Sequence, residues 1–266
     1  ADSSSMPTLR VSQLAREQVK VVLSGDGGDE VFGGYDWYST WMSRRKFDVV
    51  PYEFRQPVFD ALRSFWLPSV RGLGWIIDLA REPLGQYARL LELFSPHEKR
   101  RIISPDLASQ FVDYDDYWLF RSYWREDVDP MTRMQYLDLK TYLPDDILTK
   151  VDRASMAVSL EVRPPLLDHI LVENIFAMPA QFRLPDNTRK YLLKIAVADL
   201  LPKEVLYRPK RGFSSPLRYW MRAEEAWVQQ KLNNTVREFL RIEPKELSWI
   251  TKSGDKSWAL LVLQEW

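Results

Sequence analysis

Five of the chain's ten glycines fall between positions 25 and 34. They follow one clearly apolar strand candidate, Val19 to Leu23, in which three of five residues are β-branched. The run Ser24-Gly25-Asp26-Gly27-Gly28-Asp29-Glu30 thus puts a glycine-rich acidic loop at the C-terminal end of a strand, where open α/β sheets bind ligands. Glycines let backbone amides approach a phosphate closely. A carboxylate such as Asp29 can hold Mg²⁺, which takes one or two carboxylates together with phosphate oxygens. The plainer alternative is a tight turn with Asp29 or Glu30 capping the next helix. Three glycines and three acids packed together exceed what a turn needs, so the residues point to a nucleotide or metal–phosphate site.

The rest of the chain reads as helical. A short helix is expected over residues 9–18, ahead of the strand. Residues 52–126 carry aromatic-rich helical patterns broken by Pro57, Pro68, Pro83, Pro96 and Pro105. Asp129-Pro130 is an N-cap followed by proline at the first helical position, and that helix is expected to stop at Leu143-Pro144. A further helix starts at Asp145, with Ile147, Leu148, Val151, Ala154 and Val158 on one buried face. Another is expected from about Thr188 to Leu201, capped by Asp186 or Asn187 and stopped by Pro202. The apolar stretch Trp258 to Trp266 closes the chain. One strand cannot form a sheet, so its partners are either weak-looking segments or parts of a longer protein.

Composition excludes several classes of function. Lys plus Arg and Asp plus Glu number 37 each, a balance that gives no support to nucleic-acid binding through a basic face. There is no cysteine, hence no disulfide framework, thiolate zinc site or cysteine nucleophile within these residues. With only His97 and His169, a Ser-His-Asp hydrolase or multi-histidine metal site is not expected. No apolar run approaches a membrane span, and the first residues lack the basic and apolar regions of a signal peptide. A soluble protein without a membrane partner follows as the expectation.

Two basic signals and one mixed-charge stretch accompany the acidic loop. Arg189, Lys190 and Lys194 fall in the expected first turns of a helix, where the dipole disfavours cations. Lys190 and Lys194 are four apart on one face, where like charges repel. An anion between them would resolve both conflicts; long side chains reaching solvent would do so too. Arg208-Pro209-Lys210-Arg211-Gly212-Phe213-Ser214 is either a solvated basic loop or a place where a lysine meets charge developing in phosphoryl transfer. The charges of Lys150-Val151-Asp152-Arg153 and of Glu161 to His169 fit an ion-pair network holding a helix to a loop, with His169 structural.

Residues 23–35, LSGDGGDEVFGGY, closely resemble the SG[D/E]G[G/S]DE signature of glutamine-hydrolysing asparagine synthetases. Residues 143–169, LPDDILTKVDRASMAVSLEVRPPLLDH, resemble the next signature of that family. The order continues through Arg189-Lys190 and Arg208-x-Lys210-x-x-Phe213-Ser214, so the resemblance covers nearly the whole chain and implies that residues 1–266 are the C-terminal part of a synthetase domain. It implies an α/β fold, a fragment of an ATP-pyrophosphatase (adenine nucleotide α-hydrolase-like) parallel-sheet domain that is predominantly helical in this chain.

The resemblance also implies roles. Ser24, Gly25 and Lys190 would bind the nucleotide, Asp29 with Glu30 beside it would hold Mg²⁺, and Asp26 and Lys210 would be catalytic. ATP, Mg²⁺, aspartate or another carboxylate, and ammonia from a glutaminase domain are the implied small molecules. The setting would be cytoplasmic, and a homodimer is possible. The family's cysteine glutaminase domain and its SGGxDS pyrophosphate loop do not occur in these residues, so the chain alone is expected to be inactive. Sister enzymes that adenylate another carboxylate (β-lactam-forming, peptide-cyclising or polysaccharide-linked), or a non-catalytic helical assembly module, are the alternatives.

Overall fold

The computed structural model describes residues 2–57, 79, 81–208, 213, 215–233 and 239–265. It begins with α1 (Ser5–Arg16), enters β1 (Val21–Leu23), and turns through the acidic loop into α2 (Gly28–Phe32) and α3 (Asp36–Arg44). Then come α4 (Pro83–Leu91), α5 (Pro96–Ile102) and a helical turn at Pro105–Gln110. Pro83, Pro96 and Pro105 each open their helix, where a missing N–H is no loss. Ser95 and Glu98 close a reciprocal capping box at the start of α5. Pro57 is helical and Pro68 lies outside the described residues.

α6 (Pro130–Lys140) starts as its sequence requires, with Asp129 Oδ1 accepting from the Met131 and Thr132 amides at 3.0 Å each. It ends at Lys140. The next helical segment begins at Leu143 as a π-helix through Leu148 and continues as α7 (Thr149–Met156). Pro144 is therefore an early residue of that segment, where its missing amide is tolerated. On the expected buried face Ala154 is buried, while Ile147, Leu148, Val151 and Val158 are partly so. α1 packs along α7, and Lys150 reaches Asp2 at 2.8 Å. The Lys150 charge thus anchors the chain's first residues rather than a loop.

β1 finds its partner in β2 (Glu161–Arg163), parallel, with Val21 opposite Glu161, Val22 opposite Val162 and Leu23 opposite Arg163. The Glu161 amide donates to the Lys20 carbonyl at 2.9 Å and the Ser24 amide to the Arg163 carbonyl at 3.0 Å. Hydrogen bonding therefore extends to the first residue of the acidic loop. β2 is followed by α8 (His169–Ala177), capped by Asp168 Oδ1, which accepts from the Ile170 and Leu171 amides. His169 is exposed at the start of α8, so it does not fill the core.

The helix expected over 188–201 is shorter. Asp186, Asn187 and Lys190 all have positive φ, and α9 runs only over Tyr191–Ala196, with Lys190 as its N-cap. Asp and Asn tolerate the left-handed region locally. Ile195, Leu200 and Leu201 are exposed, so no buried face supports a longer helix. After Lys203–Leu206 the chain forms α10 (Leu217–Ala223), α11 (Glu225–Asn233), α12 (Pro244–Ile250) and α13 (Gly254–Glu265).

Three apolar clusters hold these elements. The α10–α13 helices close around Leu217, Val228, Leu232, Ile250 and Leu260. An aromatic cluster joins Tyr35, Tyr38 and Trp41 to Tyr87 and to Met131, Met134 and Leu137 of α6. Each fully buried Met or Leu contributes about 1.5–3 kcal/mol. The third cluster, Val31, Phe32 and Ile175, seats α2 against α8 and directly underlies the acidic loop. Among the described residues no helix is long and apolar enough to cross a membrane.

Candidate functional site

The loop between β1 and α2 is built by its glycines. Gly27 has φ +82°, and a Cβ there would lie 2.1 Å from Leu167 Cδ2. Only glycine combines that backbone with that approach. The Gly28 amide donates to the Gly25 carbonyl at 3.2 Å, closing the turn. Ser24 Oγ donates to Asp26 Oδ2 at 2.8 Å, and a Cβ on Gly25 would meet nothing within 4 Å. Ser24, Gly25 and Asp26 therefore form one lip at the strand end, Gly25 exposed and its neighbours partly so, with open space beside Gly25.

Asp29 and Glu30 part company at α2. Consecutive helical residues point about 100° apart, so they cannot share a ligand face. Asp29 faces outward, partly exposed, and its Oδ1 lies 3.2 Å from Lys190 Nζ. Glu30, expected beside it as a cation ligand, turns inward and is 1% exposed. There it accepts from the Tyr35 phenol at 2.5 Å. Burial raises the Glu30 carboxyl above the usual range, against the opposing pull of that bond. Of the two carboxylates Asp29 is therefore the outward-facing one, and Glu30 is held in the interior behind α2.

Lys190 reaches the loop from the start of α9, through a left-handed N-cap backbone (φ 52°). Its side chain passes over Gly34, where a Cβ would stand 2.0 Å from Asp29 Oδ1 and 2.4 Å from Lys190 Cε. Gly34 is the notch that lets the two meet. Arg189 pairs with Asp36 at the start of α3, so two adjacent cations are tied to two acids. Lys194, one turn on, is lowered by burial and by the charges of Arg189 and Lys190. Lys210, with Pro209, Arg211, Gly212 and Ser214, lies outside the described residues.

The buried support of α2 was not among the sequence candidates. Gln135 Nε2 donates to the carbonyls of Glu30 and Val31 at 2.7 and 2.9 Å. Arg183 Nη1 donates to Gln135 Oε1 at 2.6 Å. Both side chains are almost wholly buried. A signal existed: Gln135 and Asp138 lie on the same face of α6 as Met131 and Met134, so polar groups there must have internal partners.

Mg²⁺ commonly takes one or two carboxylates and completes its shell with phosphate oxygens and water. Asp29, accessible and beside an open glycine lip, fits that single-carboxylate role. Among the described residues no three His, Cys, Asp or Glu side chains gather into a cage.

The asparagine synthase family model matches residues 1–266. A Mycobacterium tuberculosis protein provisionally named as a glutamine-hydrolyzing asparagine synthetase is 37% identical over 231 residues, 85% of this chain and 34% of that protein. The glutamine-hydrolyzing asparagine synthetase 1 of Bacillus subtilis is 28% identical over 278 aligned positions, 100% of this chain and 43% of the relative. The asparagine synthetase of Gallus gallus is 36% identical over 100 residues, 35% of this chain. The chain thus spans between 34% and 43% of the length of the first two relatives.

Proposed function

The chain belongs to the asparagine synthase family, and from that premise we propose that it serves ATP-dependent synthesis of asparagine within an ATP-pyrophosphatase-type domain. An aspartate side-chain carboxylate attacks the α-phosphorus of ATP. The new O–P bond forms as the bond to the β-phosphate breaks, and pyrophosphate leaves. Ammonia derived from glutamine then attacks the acyl carbon of the aspartyl-adenylate. AMP departs, and the nitrogen loses its extra proton to give the amide. Adenylation turns a poor leaving group into a good one, so the site needs cations around phosphate rather than a protein nucleophile.

In this reading Ser24 and Gly25 contact the adenylate, with the open space beside Gly25 admitting it. Asp26, held by Ser24, lies near the reacting carboxylate. Asp29 would hold Mg²⁺, which would supply charge neutralisation for the leaving group. Lys190 serves the phosphates, and Lys210 neutralises charge that grows during adenylation.

The observation that carries the reading is the meeting of Asp29 and Lys190 at 3.2 Å across Gly34, at the C-terminal end of a parallel strand. An acid suited to the cation and a base suited to the phosphates are thereby joined at one place. The test is ATP–pyrophosphate exchange by the intact protein, with aspartate compared against other carboxylates. Aspartate-dependent exchange is expected; exchange with another carboxylate and none with aspartate would reassign the substrate.

A further inference from the structure

Lys190 and a divalent cation compete for one carboxylate. The ammonium is 3.2 Å from Asp29 Oδ1, and both side chains are only partly exposed, at 30% and 24%. The notch at Gly34 holds the lysine stem against the carboxylate and leaves no room for a methyl group between them. The pair is oriented from behind by Arg189 on Asp36 and by a left-handed Lys190 backbone that a lysine seldom adopts. Two positive charges cannot share that oxygen without strong repulsion. A cation that takes the same oxygen must therefore displace the ammonium, which then lies beside the phosphates the cation has brought.

We propose that Lys190 is a charge-exchange latch on Asp29. Its ammonium neutralises the carboxylate in the nucleotide-free protein and moves to phosphate oxygens when a divalent cation takes the carboxylate. The inference rests on the nucleotide-binding reading of the site and adds an order of events to it. Without a divalent cation, Lys190 is shared between Asp29 and phosphate, and metal-free nucleotide binds weakly. With the cation, the contact that held the lysine back is gone.

The latch predicts opposite signs for one substitution. Asp29→Asn frees Lys190, so metal-free ATP, measured calorimetrically on the intact protein in EDTA, should bind about 3-fold tighter, the scale of a part-exposed ion pair. The same variant should bind Mg-ATP more weakly. In a Lys190→Met background the metal-free gain should vanish, because no ammonium remains to be released. Lys190→Gln is the second background, and thermal melts confirm that each variant is folded. A metal-free gain that persists undiminished without Lys190 would mean plain charge removal and would overturn the latch. An unchanged metal-free affinity in Asp29→Asn would overturn it too. Mg-ATP binding that is normal in wild type alongside either result leaves the nucleotide site standing and removes the latch alone. No ATP binding under any condition would remove both.

Discussion

The Tyr35 phenol donates to the Glu30 carboxylate at 2.5 Å, while the Tyr35 ring stacks on Trp37 with centroids 3.8 Å apart. The bond ties the inward side of α2 to the aromatic cluster, and the outward side of the same helical turn presents Asp29. Removing the phenol leaves a nearly buried carboxylate without that donor, which costs about 1–3 kcal/mol. Tyr35→Phe should therefore lower the unfolding free energy by that amount in urea. Glu30→Gln added to it should recover part of the loss, since the amide carries no charge to bury. Equal stability of Tyr35→Phe and wild type would remove the bond from the supports of α2.

Two glycines ten residues or fewer apart should fail in different ways. At Gly27, alanine meets both a positive φ and Leu167 at 2.1 Å, so Gly27→Ala should destabilise the fold by about 1–2 kcal/mol or more. At Gly34 a methyl group meets the ends of Asp29 and Lys190, which can swing aside. Gly34→Ala should leave the melting temperature almost unchanged and weaken Mg-ATP binding. Measured together, a large shift at Gly34 and none at Gly27 would reverse the two assignments.

The chemistry of the loop was legible because it is local: glycines, acids and the Asp129-Pro130 cap act within a few residues of themselves. β2 was not, because Glu161 and Arg163 make two of its three residues charged, and its existence depends on pairing with a strand far away in sequence. The Thr188–Leu201 helix misled for a related reason. Helical spacing was present, but burial that would extend it was not, and Asp186 and Asn187 accept a left-handed backbone. The resemblance sets Asp29 and Glu30 side by side at a cation. Their positions in one helical turn point the two side chains in different directions, Asp29 outward and Glu30 inward.

The motif resemblance gives Lys210 a role in adenylation that kinetics can test directly. If its charge is used mainly in the transition state, Lys210→Ala in the intact protein should lower kcat and kcat/KM together by about 10²–10³-fold, with ATP binding nearly intact. Arg211→Ala is the control and should cost little. Equal, small losses for both would make the segment a solvated basic loop.

Asp138 offers the sharpest test of the buried aromatic cluster. Its carboxyl is fully buried and accepts from Trp37 Nε1 at 3.2 Å and from the hydroxyls of Tyr38 and Tyr87. Burial pushes its pKa from the ordinary 3.8 up to about 8, with the Glu30 charge adding to the rise and the Tyr38 and Trp37 bonds opposing it. Between those two values the folded protein holds a proton that the unfolded chain has released. Stability from this group is therefore fully present below the unfolded value and is lost as pH rises through the folded one. The slope approaches about 1.4 kcal/mol per pH unit for one proton. Asp138→Asn is neutral like the protonated acid, with an amide donor group and a carbonyl acceptor, and does not titrate. The difference in unfolding free energy, wild type minus Asp138→Asn, should fall steadily from pH 5 to about pH 8 and level off beyond it, while Glu30 and every other group cancel to first order. Parallel curves across that range would mean that Asp138 is ionised in the folded protein throughout, its three donors outweighing its burial.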